Sequence, residues 1–163
     1  QTLSPAYRNS ARRLRHFLET ALVRGDRLMK ARTANQTLEG AELEDYAYVV
    51  QGLLDYAEVN SDAKARALAQ KLARKAWSLF WSPTGWKRES QSLLATLPTE
   101  AVLADGALAS PSEVLNLASL RLRDAGLIQQ ATQAAAWQEP QMTRDPFGYP
   151  TRVRVLRALI PRR

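Results

Sequence analysis

Apolar positions recur at helical spacing along most of the chain, and turn residues separate the repeats. The first repeat follows Ser4-Pro5, a favoured helix start, and Gly25 is expected to end it. A second helix is predicted over residues 41–60, and a short turn, in which Asp62 can cap the next helix, connects it to a third. These elements predict amphipathic helices paired in antiparallel hairpins.

The second half of the chain predicts three more helices. Ser110-Pro111-Ser112-Glu113 has the pattern of a capping box that opens the fourth, and Gly126 is expected to end it. The fifth is alanine-rich and spans residues 127–137. Pro150 begins the last helix, whose expected apolar face is Val153, Leu156, Leu159 and Ile160. The predicted fold class is therefore all-α, with three helix hairpins and irregular stretches at residues 26–40, which include a short extended piece at 27–29, and 82–109.

The second helix is apolar on more than one side. Its main stripe is accompanied on the opposite side by Asp45, Tyr48, Val49, Gly52 and Tyr56, which is not a simple charged face. A glycine inside a helix costs about 1 kcal/mol relative to alanine, so Gly52 is expected where another group packs closely or a cavity is lined. The third helix has only one apolar face. We therefore expect the second, fourth and sixth helices to form an inner layer, and the other three an outer layer.

Composition indicates one globular domain, residues 1–163. Hydrophobic residues make up 45% of the chain and charged residues 24%. The net charge is +7, but the basic residues are spread over several helix faces and no groove-reading motif accompanies them, so nucleic acid is not an expected partner. No apolar run is long enough to cross a membrane and no signal peptide is visible, so we expect a cytoplasmic protein with no membrane partner.

Two stretches carry a resemblance to a known family. Residues 43–58, LEDYAYVVQGLLDYAE, resemble a helix of the thioredoxin-domain-containing family that includes the spermatogenesis-associated thioredoxin-like proteins. Residues 105–113, DGALASPSE, resemble a loop of the same family that leads into an inner helix. Asp105, Ala107 and Ser110 match that loop, whereas its asparagine is absent here. The resemblance extends over residues 5–160.

The resemblance implies half of an (α/α)6 toroid. Members of the family carry a thioredoxin-like domain followed by a toroid similar to those of six-hairpin glycosidases. The chain would then be a C-terminal fragment of such a protein. Its expected partners are the N-terminal half of the same protein, with the thioredoxin-like domain and remaining hairpins, or another copy. The implied function is carbohydrate binding or processing when the toroid is complete, and the alternative is a non-enzymatic protein-interaction scaffold.

Candidate site residues follow from the toroid, in which ligands bind where the inner helices begin. Asp45 and Asp105 are the candidate catalytic carboxylates, because two acids facing a cleft can act as general acid and base on a glycosidic bond. Asp45 has a structural alternative, since the helix dipole favours an acid in a first turn. The candidate substrate-binding residues are Tyr46, Trp86, Arg88, Ser110 and Ser112.

Other chemistry is limited by what the chain lacks. His16 is the only histidine and cysteine is absent, so neither a paired-histidine epimerase site nor a histidine or thiolate metal site is expected. No cofactor or metal is expected, and whether the domain is an enzyme stays open. Trp81, Trp86 and Arg88 suit sugar stacking or an anionic ligand, with aromatic sealing of a hairpin end as the structural alternative.

Overall fold

A computed structural model describes residues 4–90, 101 and 103–160, apart from the side chains of residues 138, 139 and 141. Within these residues, six α-helices follow one another in pairs, which confirms the all-α hairpin prediction. A π-helical turn, Leu18–Leu22, extends the first helix, and a 3-10 turn, Pro146–Gly148, precedes the last. The helices are α1 (Pro5–Phe17), α2 (Leu43–Asn60), α3 (Ala63–Phe80), α4 (Pro111–Leu122), α5 (Ala125–Arg144) and α6 (Pro150–Leu159).

Three short antiparallel β-hairpins lie in the connections. They are β1 (Val23–Arg24) with β2 (Arg27–Leu28), β3 (Ala31–Arg32) with β4 (Thr37–Leu38), and β5 (Trp81–Ser82) with β6 (Gly85–Trp86). The extended piece expected at residues 27–29 corresponds to β2. Gly25 has a φ of 63° in the first hairpin, so it serves the turn and does not end the helix, which stops before Val23.

Three helix boundaries in the second half of the chain differ from the prediction. Arg123, with a φ of 57°, ends α4 before Gly126 is reached. Asp124 then accepts a hydrogen bond from the Leu127 backbone N–H at 3.0 Å, which starts α5 early and places Gly126 in its first turn. At its other end α5 continues past Trp137 to Arg144, with Pro140 inside the helix.

Side-chain contacts fix the direction of α2 and α4. Near the start of α2, the Tyr48 hydroxyl donates to the Ala109 carbonyl, which lies just before α4, at 2.6 Å. Near the other end, Arg121 of α4 binds Asp55 at 2.6 Å and Glu58 at 2.7 Å, both on α2. The two helices therefore run side by side in the same direction.

The remaining helices complete two layers. Arg66, in the first turn of α3, donates to the carbonyls of Arg121 and Leu122 at the end of α4, so α3 is antiparallel to α4. Asp105 binds the starts of both α4 and α6, which gives α6 the direction of α4. α3 packs against α2 and α4, and α5 packs against α4 and α6. The predicted inner layer of α2, α4 and α6 is thus observed.

The core is centred on α2. All seven members of its predicted stripe are buried: Leu43, Tyr46, Ala47, Val50, Leu53, Leu54 and Ala57. They pack against α3 and α4, whose buried residues include Trp77, Phe80, Leu115 and Ala118. Trp77 also donates from its indole nitrogen to the Ser119 hydroxyl at 2.9 Å. The helix that the sequence singles out as enclosed is therefore the one that organises the fold.

The predicted apolar face of α6 is wrong. The buried residues of this helix are Thr151, Arg152 and Val155, whereas Val153 is 44% exposed and Ile160 is 65% exposed. The physical reason is that Arg152 turns inward to a buried carboxylate, and this rotates the apolar stripe to the edge of the fold. No described residue of α1 is buried either, and its Leu14 is 58% exposed.

None of the helices formed by the described residues combines the length and the apolar character that a membrane crossing requires.

Candidate functional site

Asp105 joins the starts of two inner helices. One carboxylate oxygen accepts from the backbone N–H of Ser110, before α4, and the other from that of Thr151, in the first turn of α6, each at 2.7 Å. Its own N–H donates to the Gly148 carbonyl at 2.8 Å. A negative charge is favourable at helix N-termini, so Asp105 holds the two helices at one end of the half-ring.

Tyr48 lies beside this junction, on the second turn of α2. Its hydroxyl donates to the Ala109 carbonyl, which fixes it against the segment that leads into α4. Burial raises the pKa of Tyr48, and the negative charges of Glu44 and Asp105 raise it further. Two carboxylates therefore act on one phenol at the end where the inner helices begin. We call Glu44, Tyr48 and Asp105 the mouth of the half-ring.

Asp45 faces a different set of groups. It accepts from the Glu42 backbone N–H at 2.8 Å, which is a capping contact at the start of α2. Glu42 itself binds Lys30 at 2.5 Å and Arg88 at 2.9 Å, and the hydrogen bond from Lys30 is the main cause of its lowered pKa. Asp45 and Asp105 thus contact different elements. The contact that Asp45 makes is the structural role at the start of α2 that was its alternative. Its catalytic role stays an untested prediction.

Four predicted substrate-binding residues are buried, with exposures of 2% for Tyr46, 4% for Trp86, 1% for Ser110 and 0% for Ser112. The Tyr46 hydroxyl accepts from the Leu28 backbone N–H at 2.9 Å, and the hydroxyls of Ser110 and Ser112 bind each other at 2.9 Å. Burial closes these side chains to a ligand in this conformation. Arg88 is exposed and is held by Glu42. Binding roles for all five stay predictions.

The tryptophans form one cluster at the β5–β6 hairpin. Trp86 packs with Trp77 and Trp81 at ring-centroid distances of 4.7 and 5.0 Å, and Trp137 of α5 meets Trp81 at 5.7 Å. Gly85 permits this approach, since a Cβ there would lie 2.5 Å from a ring carbon of Trp137. The cluster seals a hairpin end, which is the structural alternative expected for these aromatic residues.

A buried ion pair lies behind the mouth. Glu113 of α4 and Arg152 of α6 are both fully buried, with a side-chain nitrogen and oxygen 3.3 Å apart. Asn116 donates to Glu113 at 3.2 Å, and Arg152 also donates to the Ala135 carbonyl. Burial raises the pKa of Glu113, despite the opposing effects of Asn116 and Arg152.

Sequence reasoning missed this pair because it assigned Glu113 to a capping box. The Ser110 hydroxyl makes no capping bond to the helix backbone and binds Ser112 instead. One signal was available: Ser112, Glu113, Asn116 and Ser119 are polar residues at spacings of one, three and three on a helix whose other residues before Arg121 are apolar. Such a stripe on an inner helix indicates a buried polar network. Sequence reasoning also chose Asp45 and overlooked its neighbour Glu44. Glu44 lies four residues before Tyr48, a spacing that places the two side chains on the same face of a helix.

The inner helices also line a common pocket of about 110 Å³. Gln51 comes from α2, Ala118 and Arg121 from α4, and Arg154 from α6. This pocket shows that all three inner helices face the same concave side. Among the described residues, no group of three or more histidine, aspartate or glutamate side chains is arranged to hold a metal ion.

Comparisons with known proteins give a likeness in fold. No protein-family model and no curated protein matches the chain. The structure of the unsaturated glucuronyl hydrolase from Bacillus sp. GL1, responsible for the degradation of glycosaminoglycan, matches 82% of this chain at 15% identity and a TM-score of 0.54. A structure of a UGL variant with dGlcA-Glc-Rha-Glc gives the same values.

These hydrolases have an (α/α)6 toroid fold, and the chain spans 40% of their length. The fold of the chain is accordingly that of a helical-toroid half, as predicted. The resemblance to the thioredoxin-domain-containing family receives no support from the sequence comparisons.

Proposed function

We propose that this domain binds carbohydrate at the mouth of the half-ring, and processes it when further hairpins complete the toroid. The observation that carries the proposal is that the charges of Glu44 and Asp105 both raise the pKa of Tyr48, which is bonded to the Ala109 carbonyl at the end where the inner helices begin. The toroid fold supports it, because the two structural neighbours are named for saccharide chemistry. The remaining hairpins would come from the N-terminal half of the same protein or from another copy.

The three mouth residues suit different tasks. Glu44 is exposed, and among the described residues it makes no ion pair, so its carboxylate is available to sugar hydroxyls. Asp105 uses both oxygens to bind backbone N–H groups, which makes it a positioning residue. Tyr48 offers an aromatic face and a hydroxyl. If the complete ring is an enzyme, Glu44 is a better candidate than Asp45 for the acid or base role, and Asp105 holds the inner helices in position.

Calorimetric titration with neutral and acidic oligosaccharides tests the proposal. We expect Glu44→Gln and Tyr48→Phe to weaken binding by roughly tenfold or more. Glu58→Gln is the matched control, because Glu58 lies at the opposite end of the same helix and pairs with Arg121. Asp45→Asn should bind as the unmodified chain does. Binding that is unchanged by Glu44→Gln, or no binding to any saccharide, would contradict the proposal.

The alternative, a protein-interaction scaffold, is favoured by one observation. Large apolar side chains of α1 are exposed, with Tyr7 at 71% and Phe17 at 45%, beside an apolar cleft on α2. A scaffold would use this surface and leave the mouth without a ligand. Weak or absent saccharide binding together with a tight protein complex would favour this alternative.

A further inference from the structure

An apolar cleft of about 350 Å³ runs between α1 and α2 at one edge of the half-ring. One wall is lined by Ala11, Leu14 and Arg15 of α1 and by Leu18 of the π-helical turn, and the other by Tyr48, Val49, Gly52, Leu53 and Tyr56 of α2. Among these, Val49, Gly52 and Tyr56 are spaced by three and four, so they follow one face of the helix for about two turns. A Cβ at Gly52 would meet no atom within 4 Å, which shows that the floor of the cleft is open. We call this feature the α1–α2 cleft.

The rest of the fold shows what packs at such a position. Inner helix α4 packs against inner helix α2 and outer helix α3, and α6 in the same way against α4 and α5. Each of these inner helices therefore lies where an inner and an outer helix meet. The α1–α2 cleft is the same kind of junction on the other side of α2. By this geometry its occupant is another inner helix that runs parallel to α2.

The opposite edge of the half-ring carries a matching surface. Val153 and Leu156 of α6, spaced by three, form an apolar ridge away from the buried face of the helix, and Ile160 follows directly after the helix ends. Val153 and Ile160 are 44% and 65% exposed. Arg154, in contrast, faces the concave pocket shared with α4. The ridge thus lies on an inner helix, as the cleft does. The described residues cover neither of them.

The two edges of the half-ring, at α2 and at α6, also carry opposite charge. α2 carries no basic residue; its Glu44 makes no ion pair among the described residues, and its Asp55 and Glu58 share Arg121 of α4. On the other wall of the cleft, Arg15 of α1 is paired with Glu19 and Asp62. α6 carries exposed Arg154 and Arg157 and no acidic residue. Within the chain, the α2–α4 pair already uses this combination, since Arg121 of α4 binds Asp55 and Glu58 of α2. An α6 helix packed beside α2 would meet opposite charge along its flank.

We propose that the ridge of α6 from a second copy of this chain occupies the α1–α2 cleft. The same contact made in the other direction closes a ring of six hairpins, with three from each copy and a two-fold axis along the centre. A two-fold axis parallel to the inner helices keeps all six running in the same direction, as a toroid requires. This inference needs no ligand, so it stands or falls separately from carbohydrate binding.

Sedimentation equilibrium without any saccharide measures the assembly. We expect a particle of twice the 18.2 kDa chain mass. Gly52→Leu places a larger side chain in the cleft, at a position where a Cβ meets no atom within 4 Å, and Val153→Asp places a charge on the ridge. Each should weaken dimerisation by roughly tenfold or more. Val59→Asp is the matched control, since Val59 is 66% exposed at the end of α2 and lies outside the cleft lining. A monomer at all concentrations would overturn the proposal.

Cross-linking tests which surfaces meet. The chain contains no cysteine, so single introduced thiols report one position each. A mixture of chains carrying Gly52→Cys and chains carrying Val153→Cys should give the mixed disulfide-linked dimer under mild oxidation. Val59→Cys with Val153→Cys serves as the control pair and should not link. If Gly52→Cys chains link mainly to themselves, or the mixed dimer is absent, the cleft does not receive α6 and the proposal is refuted.

Discussion

Replacing Asp105 with alanine removes the carboxylate that joins the starts of α4 and α6. Two backbone N–H groups, from Ser110 and Thr151, lose acceptors at 2.7 Å. A hydrogen bond to a charged group contributes about 1.5–3 kcal/mol. Asp105 is partly exposed, so water can replace part of this contribution. We expect a loss of about 2–4 kcal/mol in the free energy of unfolding, measured by urea denaturation followed by circular dichroism.

Asp62→Ala provides the comparison. Asp62 also accepts two backbone N–H groups, at 2.9 and 3.0 Å, but both belong to the first turn of α3. Loss of such a cap costs about 0.5–2 kcal/mol. Because Asp105 connects two helices and Asp62 caps one, Asp105→Ala should be the more destabilising change. Two results would show that the junction at Asp105 does not hold the inner helices together. Asp105→Ala would unfold at the same urea concentration as the unmodified chain, or at a higher urea concentration than Asp62→Ala.

Three other substitutions test separate parts of the fold. The pKa of Glu113 is raised by burial, so the folded chain holds this proton more tightly than the unfolded chain and stability should fall as the pH rises above the ordinary glutamate value of 4.5. Glu113→Gln should flatten this dependence in urea titrations at a series of pH values, and an unchanged slope would contradict the assignment. Gly52→Ala should raise the free energy of unfolding of the monomeric chain by about 0.5–1 kcal/mol, because alanine favours the helix and its Cβ meets no atom within 4 Å. A lower melting temperature at a concentration where the chain is monomeric would refute this. Gly85→Ala should cost about 1–3 kcal/mol and alter the near-ultraviolet circular dichroism of the tryptophan cluster, because the new Cβ would lie 2.5 Å from Trp137; a wild-type spectrum would show that the cluster does not depend on this approach.

The sequence predicts the buried face of a helix correctly when apolar periodicity alone orients the helix, and fails when a buried ion pair orients it as well. In α2, apolar periodicity alone decides the buried face, so the stripe from Leu43 to Ala57 is read correctly. In α6, periodicity favours Val153 and Ile160, but Arg152 is fully buried and binds Glu113, and this pairing turns the helix. A partner that lies 39 residues away in the sequence is not visible in local spacing.

The candidate site shows the same limit. Asp105 was predicted from its position before an inner helix, and the structure places it at the start of two. Glu44 and Asp45 are adjacent, and which one faces Tyr48 depends on the start of α2, where Asp45 binds the Glu42 backbone. A shift of one residue at a helix start turns a side chain by about 100°, which pattern reading does not resolve.

A cross-linking measurement within one chain tests the parallel arrangement of the inner helices most directly. In the cysteine-free chain, Glu58→Cys with Arg121→Cys places thiols at positions whose native side chains meet at 2.7 Å. Glu44→Cys with Arg121→Cys places them at opposite ends of α2 and α4, about 20 Å apart along the helix axis. We predict that a short bismaleimide links the first pair within single chains and not the second. Efficient linking of the second pair, with none of the first, would show that α2 and α4 are antiparallel and would contradict the half-ring.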